Sequence, residues 1–338
     1  MFEGYRVVAV TPAGRRRYME LLVPQILASP LVDRYDIWVN TANPGDLAFL
    51  EGLAKRDARV RLVPQPDGKV PGPGAIHGFH REAADPDTIY IRFDDDVVWL
   101  EPGFFETLLR FRLEHPEHFL VMPLVINNAI CSNLLQTLGK ITAWKYIHTY
   151  YEDRIGWRRP EFAIALHRFF IDLIDRGETA RLHSGAHVIA MNRFSINCTC
   201  WFGRDLAAFG GEVGIEEEEE MSAAIPVRLG RTNCFCTDTV VAHFAFYSQR
   251  AWIDTAGILE EYGRILSQRP EIAGLLREVG DIRRAADARN PGPAAEGGAG
   301  RDAPDGRPHP WLRAAKSILR GRFKEDLDRV WIRPGPAL

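Results

Sequence analysis

Three consecutive carboxylates, Asp94, Asp95 and Asp96, follow the apolar segment Tyr90-Ile91-Arg92-Phe93. Adjacent like charges raise one another's pKa, and a bound hard cation relieves the repulsion. Carboxylate oxygens suit Mg²⁺ or Mn²⁺. A solvated turn, with one Asp capping the next helix, is the competing reading. The flanking Ile91, Phe93, Val97 and Val98 favour a largely buried strand, where acids are costly unless used. A second cluster, Glu216 to Glu220, sits between Val213-Gly214-Ile215 and Met221-Ser222. A helix from about 216 to 225, stopped by Pro226, turns one or two of these acids inward and the rest to water. His243 lies within the hydrophobic strand pattern Val240 to Tyr247. A histidine so placed is ordinarily a hydrogen-bonded core group. The pairs Cys198/Cys200 and Cys234/Cys236 are spaced more tightly than common structural zinc ligands and read as buried strand thiols.

The elements around these residues alternate strand and helix. Tyr5 to Val10 is a strand, Thr11-Pro12-Ala13-Gly14 breaks it, and Arg15 to Leu27 is a helix. Arg15, Arg16 and Arg17 lie near that strand's end, where clustered arginines meet a phosphate or form a solvated first turn. Tyr35 to Val39 is the next strand, followed by a polar loop, Asn40 to Asp46, and a helix to about Lys55. Val60 to Val63 is a third strand, Ala75 to Ala84 a helix, and the acidic segment a central strand of a parallel sheet. A helix from Glu101 to about His115 and a strand from Phe119 to Ile126 complete this half. Such alternation predicts a Rossmann-like sheet, whose ligands bind beyond the carboxyl ends of the strands. Residues 11–16 carry no G-x-G-x-x-G, and a P-loop signature is absent, which disfavours a dinucleotide dehydrogenase or P-loop kinase.

The chain of 338 residues, 46% hydrophobic with a formal net charge of −3, carries enough apolar content for a sizeable core. Nothing in that balance calls for nucleic acid. The start Met-Phe-Glu-Gly-Tyr does not resemble a signal peptide, and no apolar run has membrane-spanning length. The expected location is cytoplasmic, with the inner membrane face as a peripheral possibility.

Ile91-Arg92-Phe93-Asp94-Asp95-Asp96-Val97 resembles the DxD region of nucleotide-sugar glycosyltransferases of the GT-A fold, and the bacterial GT2-like enzymes in particular. The resemblance covers roughly residues 5–250 and rests on an ordered combination: first-strand loop, DxD, acidic pair, late histidine. It implies an α/β fold, a Rossmann-like central mixed sheet flanked by helices with a helical C-terminal extension. It implies that Asp94, Asp96 and His243 hold Mn²⁺ or Mg²⁺. Thr11, Pro12, Ala13, Arg16, Asn40, Arg92, Asp94, Asp95 and Arg250 would then contact the nucleoside-diphosphate sugar, with Asp46 a further possibility. Counting back from Ser222, an acidic pair at a helix start falls on Glu217 and Glu218. Glu218 is the implied catalytic base in an inverting reaction, with Glu217 and Glu219 as rivals because every candidate is Glu. The aromatic stretch Trp144, Tyr146, His148, Tyr150, Tyr151 and Trp157 is the implied acceptor surface, against the alternative of core packing.

The implied organisation is a catalytic domain at 1–250, with a nucleotide half at 1–126 and an acceptor half at 127–250. A helical extension follows at 251–288, a Pro/Gly/Ala-rich linker at 289–310, and an amphipathic helix at 311–338. That last helix, through its apolar side at 311–331, meets a membrane surface, the domain or a second subunit. The implied activity is sugar transfer to a glycan or lipid-linked acceptor in cell-surface polysaccharide synthesis, with no nucleic-acid partner. Two rivals stand beside it: a sugar nucleotidyltransferase and an inactive glycan-binding relative.

Overall fold

A computed structural model describes residues 1–66, 68–190, 192–289 and 330–335. The strands are β1 (Arg6–Ala13), β2 (Arg34–Val39), β3 (Val60–Val63), β4 (Thr88–Phe93), β5 (Val97–Leu100), β6 (Val121–Ile126), β7 (Ile141–Ala143), β8 (Ala186–Ile189), β9 (Cys198–Phe202), β10 (Asn233–His243) and β11 (Ile332–Pro334). The helices are α1 (Arg16–Leu27), α2 (Pro44–Arg56), α3 (Phe104–Glu114), α4 (Ala129–Thr137), α5 (Pro160–Asp175), α6 (Gly203–Ala207), α7 (Glu217–Glu219), α8 (Ile225–Leu229), α9 (Arg250–Ile253), α10 (Ile258–Ser267) and α11 (Pro270–Arg289).

The main sheet is mixed and runs β3-β2-β1-β4-β9-β6-β10-β5, with β8 added to β10. Its first four strands are parallel. They read as near-continuous apolar runs because helices cover both faces: Val7 to Val10 and Ile89 to Ile91 are fully buried. Strand β9 then enters antiparallel between β4 and β6. The acidic segment is therefore not one strand of an all-parallel sheet. It is two strands, β4 and β5, with Asp94–Asp96 as the corner between them. Strand β5 leaves its neighbour and pairs antiparallel with β10. The cysteines at 198, 200, 234 and 236 lie buried in β9 and β10 as free thiols, whose pKa values burial pushes up.

Two helices depart from expectation. Pro73–Ala83 is a 3-10 helix, not an α-helix. The Glu-rich helix does not stop at Pro226 but passes through a π-helical turn, Glu220–Ala224, into α8. Proline has no N–H to offer the carbonyl four residues back, at Ser222. Asn233 at the start of β10 supplies the missing donor, with Nδ2 2.7 Å from Ser222 O. The helix ends at Gly230, whose φ of +63° is the left-handed cap that favours glycine.

Helix α11 packs on α1 and α2, tied by Arg16–Asp287 at 2.7 Å and Arg56–Glu278 at 2.8 Å. The expected linker and terminal amphipathic helix fall almost wholly outside the described residues. Within the range expected to be helical, Ile332–Pro334 is instead a strand, β11, whose backbone pairs with β7. Among the described residues no helix is long and apolar enough to cross a membrane.

Candidate functional site

Sheet register brings the chemistry together. Val10 pairs with Arg92 in the parallel β1–β4 ladder, so the loops leaving both strands emerge on one edge. Phe93 opposite Cys198 places Asn197 beside the acids. Ala242 opposite Ile126 brings the end of β10 to the end of β6, and His243 opposite Val97 meets the far side of the corner. Four chain segments thus converge beyond the carboxyl ends of β1, β4, β6 and β10.

Each aspartate has distinct partners. Asp94 accepts from Asn197 Nδ2 at 2.9 Å and pairs with Arg92 Nη1 at 2.8 Å. Asp95 accepts from Gly14 N at 2.9 Å and Arg15 Nε at 2.8 Å, fastening the first-strand loop to the acidic corner. Asp96 Oδ2 accepts from Arg15 Nη1 at 2.8 Å and Arg250 Nη2 at 3.2 Å. Burial acts to raise the pKa of Asp96, but Arg15, His243 and Arg250 together hold it well below the usual carboxylate range. Asp94 goes the other way: burial and Asp96 outweigh Arg92 and raise it.

Candidate ligand atoms of Asp94, Asp96 and His243 lie within 4.8 Å of one another. Two features fit a cation. Asp96 Oδ1 is buried without a hydrogen-bond partner, which is costly unless something positive meets it. His243 Nδ1 donates to Asn127 O at 3.1 Å, leaving Nε2 aimed at Asp96 Oδ1, 3.4 Å away. That is the tautomer a ligating imidazole requires. Burial works to lower the His243 pKa, yet Asp96 and Asp94 prevail and raise it. The carboxylates thus draw positive charge onto the spot.

The glutamate run divides by helical phase. Glu217 is buried, bonded to His80 Nε2 at 2.7 Å and accepting from Arg92 Nη2 at 3.4 Å. Burial opposes ionisation there, but Arg92 and His80 win and lower its pKa. Glu218 turns toward the acids and meets Arg193 at 3.3 Å. Burial is its largest influence and raises its pKa against the pull of Ser195 and Arg193, with Asp94 adding to the rise. Glu219 is exposed and pairs with Arg193 at 3.0 Å.

Asp94, Asp95, Asp96, Glu217, Glu218 and His243 line one cavity of about 550 Å³, together with Pro12, Gly14, Arg15, Asn40, Arg92 and Arg250. Other expected residues lie elsewhere. Thr11 is buried, its Oγ1 accepting from Tyr35 Oη at 3.0 Å, and Ala13 is buried in β1. Arg16 turns from the acids to Asp46 at 2.7 Å and Asp287 at 2.7 Å. Arg15 takes the place expected of it. Asp46 is the partner of Arg16, while Asn43 caps α2 through Gly45 N and Asp46 N. Asn40 holds Gly72 through both backbone groups, N at 2.9 Å and O at 3.1 Å. From the aromatic stretch, Tyr151 and Trp157 line the cavity, whereas Trp144 packs on Phe162.

The sequence reading missed Asn127, Asn128, Asn197 and Gln249. Asn128 Nδ2 donates to Asn197 Oδ1 at 2.9 Å, and Asn127 Nδ2 to Gln249 Oε1 at 3.0 Å. Asn197 thereby orients Asp94, and the backbone carbonyl of Asn127 orients His243. The available signal was a pair of adjacent asparagines at the end of an apolar strand. Arg193 and Tyr247 at the cavity wall were also missed.

No protein-family model matches the chain, and no curated protein matches it. Solved structures do. Glucosyl-3-phosphoglycerate synthase from Mycobacterium tuberculosis, in complex with Mn²⁺, UDP-glucose and phosphoglyceric acid, is similar at 16% identity. The match covers 82% of this chain and 80% of that one, with a TM-score of 0.43. S. aureus TarS 1-349 is similar at 9% identity over 84% and 72% of the two chains, TM-score 0.41. CMP:2-keto-3-deoxy-manno-octonic acid synthetase complexed with CTP is similar at 12% over 70% and 90%, TM-score 0.36.

Proposed function

We propose that the protein is a metal-dependent, inverting glycosyltransferase of the GT-A type, using a nucleoside-diphosphate sugar. The observation that carries this reading is the meeting of Asp94, Asp96 and His243 with Glu218 in one cavity. Asp94, Asp96 and His243 hold Mn²⁺ or Mg²⁺. A divalent cation bound there supplies positive charge to the departing nucleoside diphosphate. Arg15 and Arg250, already beside Asp96, offer the diphosphate forked donors. Glu218 accepts the proton of the acceptor hydroxyl as its oxygen forms the bond to the anomeric carbon and the bond to the diphosphate oxygen breaks. Its raised pKa makes it the stronger base. Glu217, held ionised by His80 and Arg92, positions the helix. Tyr151, Trp157 and Tyr247 offer aromatic faces to an acceptor sugar, which fits a glycan or lipid-linked acceptor of cell-surface polysaccharide synthesis.

The test is a thermal-shift series of UDP-, GDP-, CMP- and dTDP-sugars with Mn²⁺ or with EDTA, on wild type and Asp96→Asn. A ligand at a hundred times its Kd adds about 2.7 kcal/mol to stability. The expected result is stabilisation by nucleoside-diphosphate donors of one base and not by CMP-sugars, lost with EDTA and in the variant. Product NMR with the matching donor then shows the anomeric configuration inverted. No stabilisation of folded protein by any donor overturns the proposal. Pyrophosphate release from a nucleoside triphosphate and a sugar phosphate replaces it with nucleotidyl transfer.

A further inference from the structure

The turn joining α3 to β6 reads His115-Pro116-Glu117-His118. It lies at the opposite end of β6 from Asn127, about 30 Å along the chain at the usual strand rise. His115 Nδ1 is 3.1 Å from Glu117 Oε1, and His118 Nε2 is 3.5 Å from the same oxygen. All three ligand atoms fall within 4.8 Å of one another. Two donors each bound at 2.0–2.2 Å to a tetrahedral ion lie roughly 3.3–3.5 Å apart, close to the two distances that Glu117 makes to the histidines.

The turn is also held from outside. His118 Nδ1 is 2.7 Å from Thr232 Oγ1, which directs Nε2 to the cluster. The buried Arg112 donates to His118 O at 2.8 Å, to Phe119 O at 3.1 Å and to His115 O. Arg231 donates to Glu117 O at 3.0 Å and to Pro116 O, and its charge is met by Asp205 at 2.7 Å. Two imidazoles with a single carboxylate suit Zn²⁺ and its neighbours, whereas Mg²⁺ and Mn²⁺ favour the carboxylate-rich set at the acidic corner.

We infer that His115, Glu117 and His118 form a second metal site, selective for Zn²⁺-class ions and separate from the acidic corner. Three protein ligands leave a fourth position for water. A bound ion clamps the end of α3 to the start of β6, and through Thr232 to the approach to β10.

The test is calorimetric Zn²⁺ titration of the full chain, with wild type compared against His115→Ala, Glu117→Gln and Thr232→Val. Wild type takes up one Zn²⁺ equivalent more than His115→Ala or Glu117→Gln. Thr232→Val keeps all three ligands and loses roughly 10–100-fold in affinity. Co²⁺ in wild type gives visible bands of a tetrahedral site that both ligand variants lack. His115 and Glu117 lie toward solvent, so these variants leave the core intact, as circular dichroism verifies. Equal zinc stoichiometry in wild type and His115→Ala overturns the inference, as does Co²⁺ absorption unchanged by Glu117→Gln.

Discussion

Arg15 and Glu218 carry the sharpest expectations among single residues. Arg15 occupies Asp95 and Asp96 with the same guanidinium that a diphosphate would want. Arg15→Gln therefore has opposite effects on two ligands. Affinity for Mn²⁺ alone rises, because a competing cation has gone. Affinity for the nucleoside diphosphate with Mn²⁺ falls by roughly ten- to a hundredfold, the worth of about 1.5–3 kcal/mol in charged hydrogen bonds. Manganese EPR and calorimetry measure the two separately, and a parallel fall in both refutes the exchange. For Glu218, Gln substitution lowers kcat by about 10²–10⁴-fold. The wild-type rate rises with pH through the Glu218 pKa, which burial has moved above the ordinary glutamate range, and that limb disappears in Glu218→Gln. Glu217→Gln instead lowers stability, because it leaves the buried Arg92 and His80 short of a partner.

At the scale of elements, the π-helical turn and Pro226 bear directly on where Glu218 points. Asn233 serves two orphans at once: Nδ2 donates to Ser222 O at 2.7 Å and Oδ1 accepts from Leu120 N at 3.1 Å. Asn233→Ala strands both buried groups and costs about 1–3 kcal/mol for each. Adding Pro226→Ala returns an N–H that can reach Ser222 O, so the double variant recovers part of the loss. A denaturant double-mutant cycle checks this, and strict additivity refutes it. The sequence alone showed the Glu helix and its amphipathic phase but ended it at Pro226. Periodicity does not reveal that Asn233, past the helix end at the start of β10, turns back to replace the missing donor. The same limit explains Arg15 and Arg16. Helix α1 begins at Arg16, so Arg15 has the non-helical backbone of a cap position and its side chain reaches the acids. One residue of register decides the matter, and local patterning does not resolve one residue. The parallel half was legible, because its strands are buried on both faces and its turns carry Pro, Gly and Asn. The antiparallel β9 was not, since Cys198–Phe202 finds its partners about a hundred residues earlier.

Across the whole molecule, one buried histidine couples three elements. His167 on α5 contacts Tyr262 Oη of α10 at 2.9 Å and Phe244 O after β10 at 2.9 Å. Burial pushes its pKa down to about 4. Between about 6.5 and that value the unfolded chain holds the extra proton, so stability is full above pH 6.5 and is lost as pH falls. The difference amounts to about 3 kcal/mol. His243, with its raised pKa, acts in the opposite sense, so the measurement is wild type against His167→Gln. Denaturant midpoints from pH 7 to 4 converge if His167 is responsible and stay parallel if it is not.

The insertion of β9 between β4 and β6 also orders events in time. Residues 1–96 contain β1, β4, the three aspartates and Arg15, so the parallel half and the Arg15–Asp95 pair can form while the rest of the chain is being synthesised. Asn197, Glu218 and His243 arrive more than a hundred residues later, at the high loop-closure cost of long-range contacts. Until then the acidic corner has only Arg15 and Arg92 to answer its charge. Arg15 in this light serves as an early counter-ion during folding, and the cation-binding geometry is complete only when the last strand has docked.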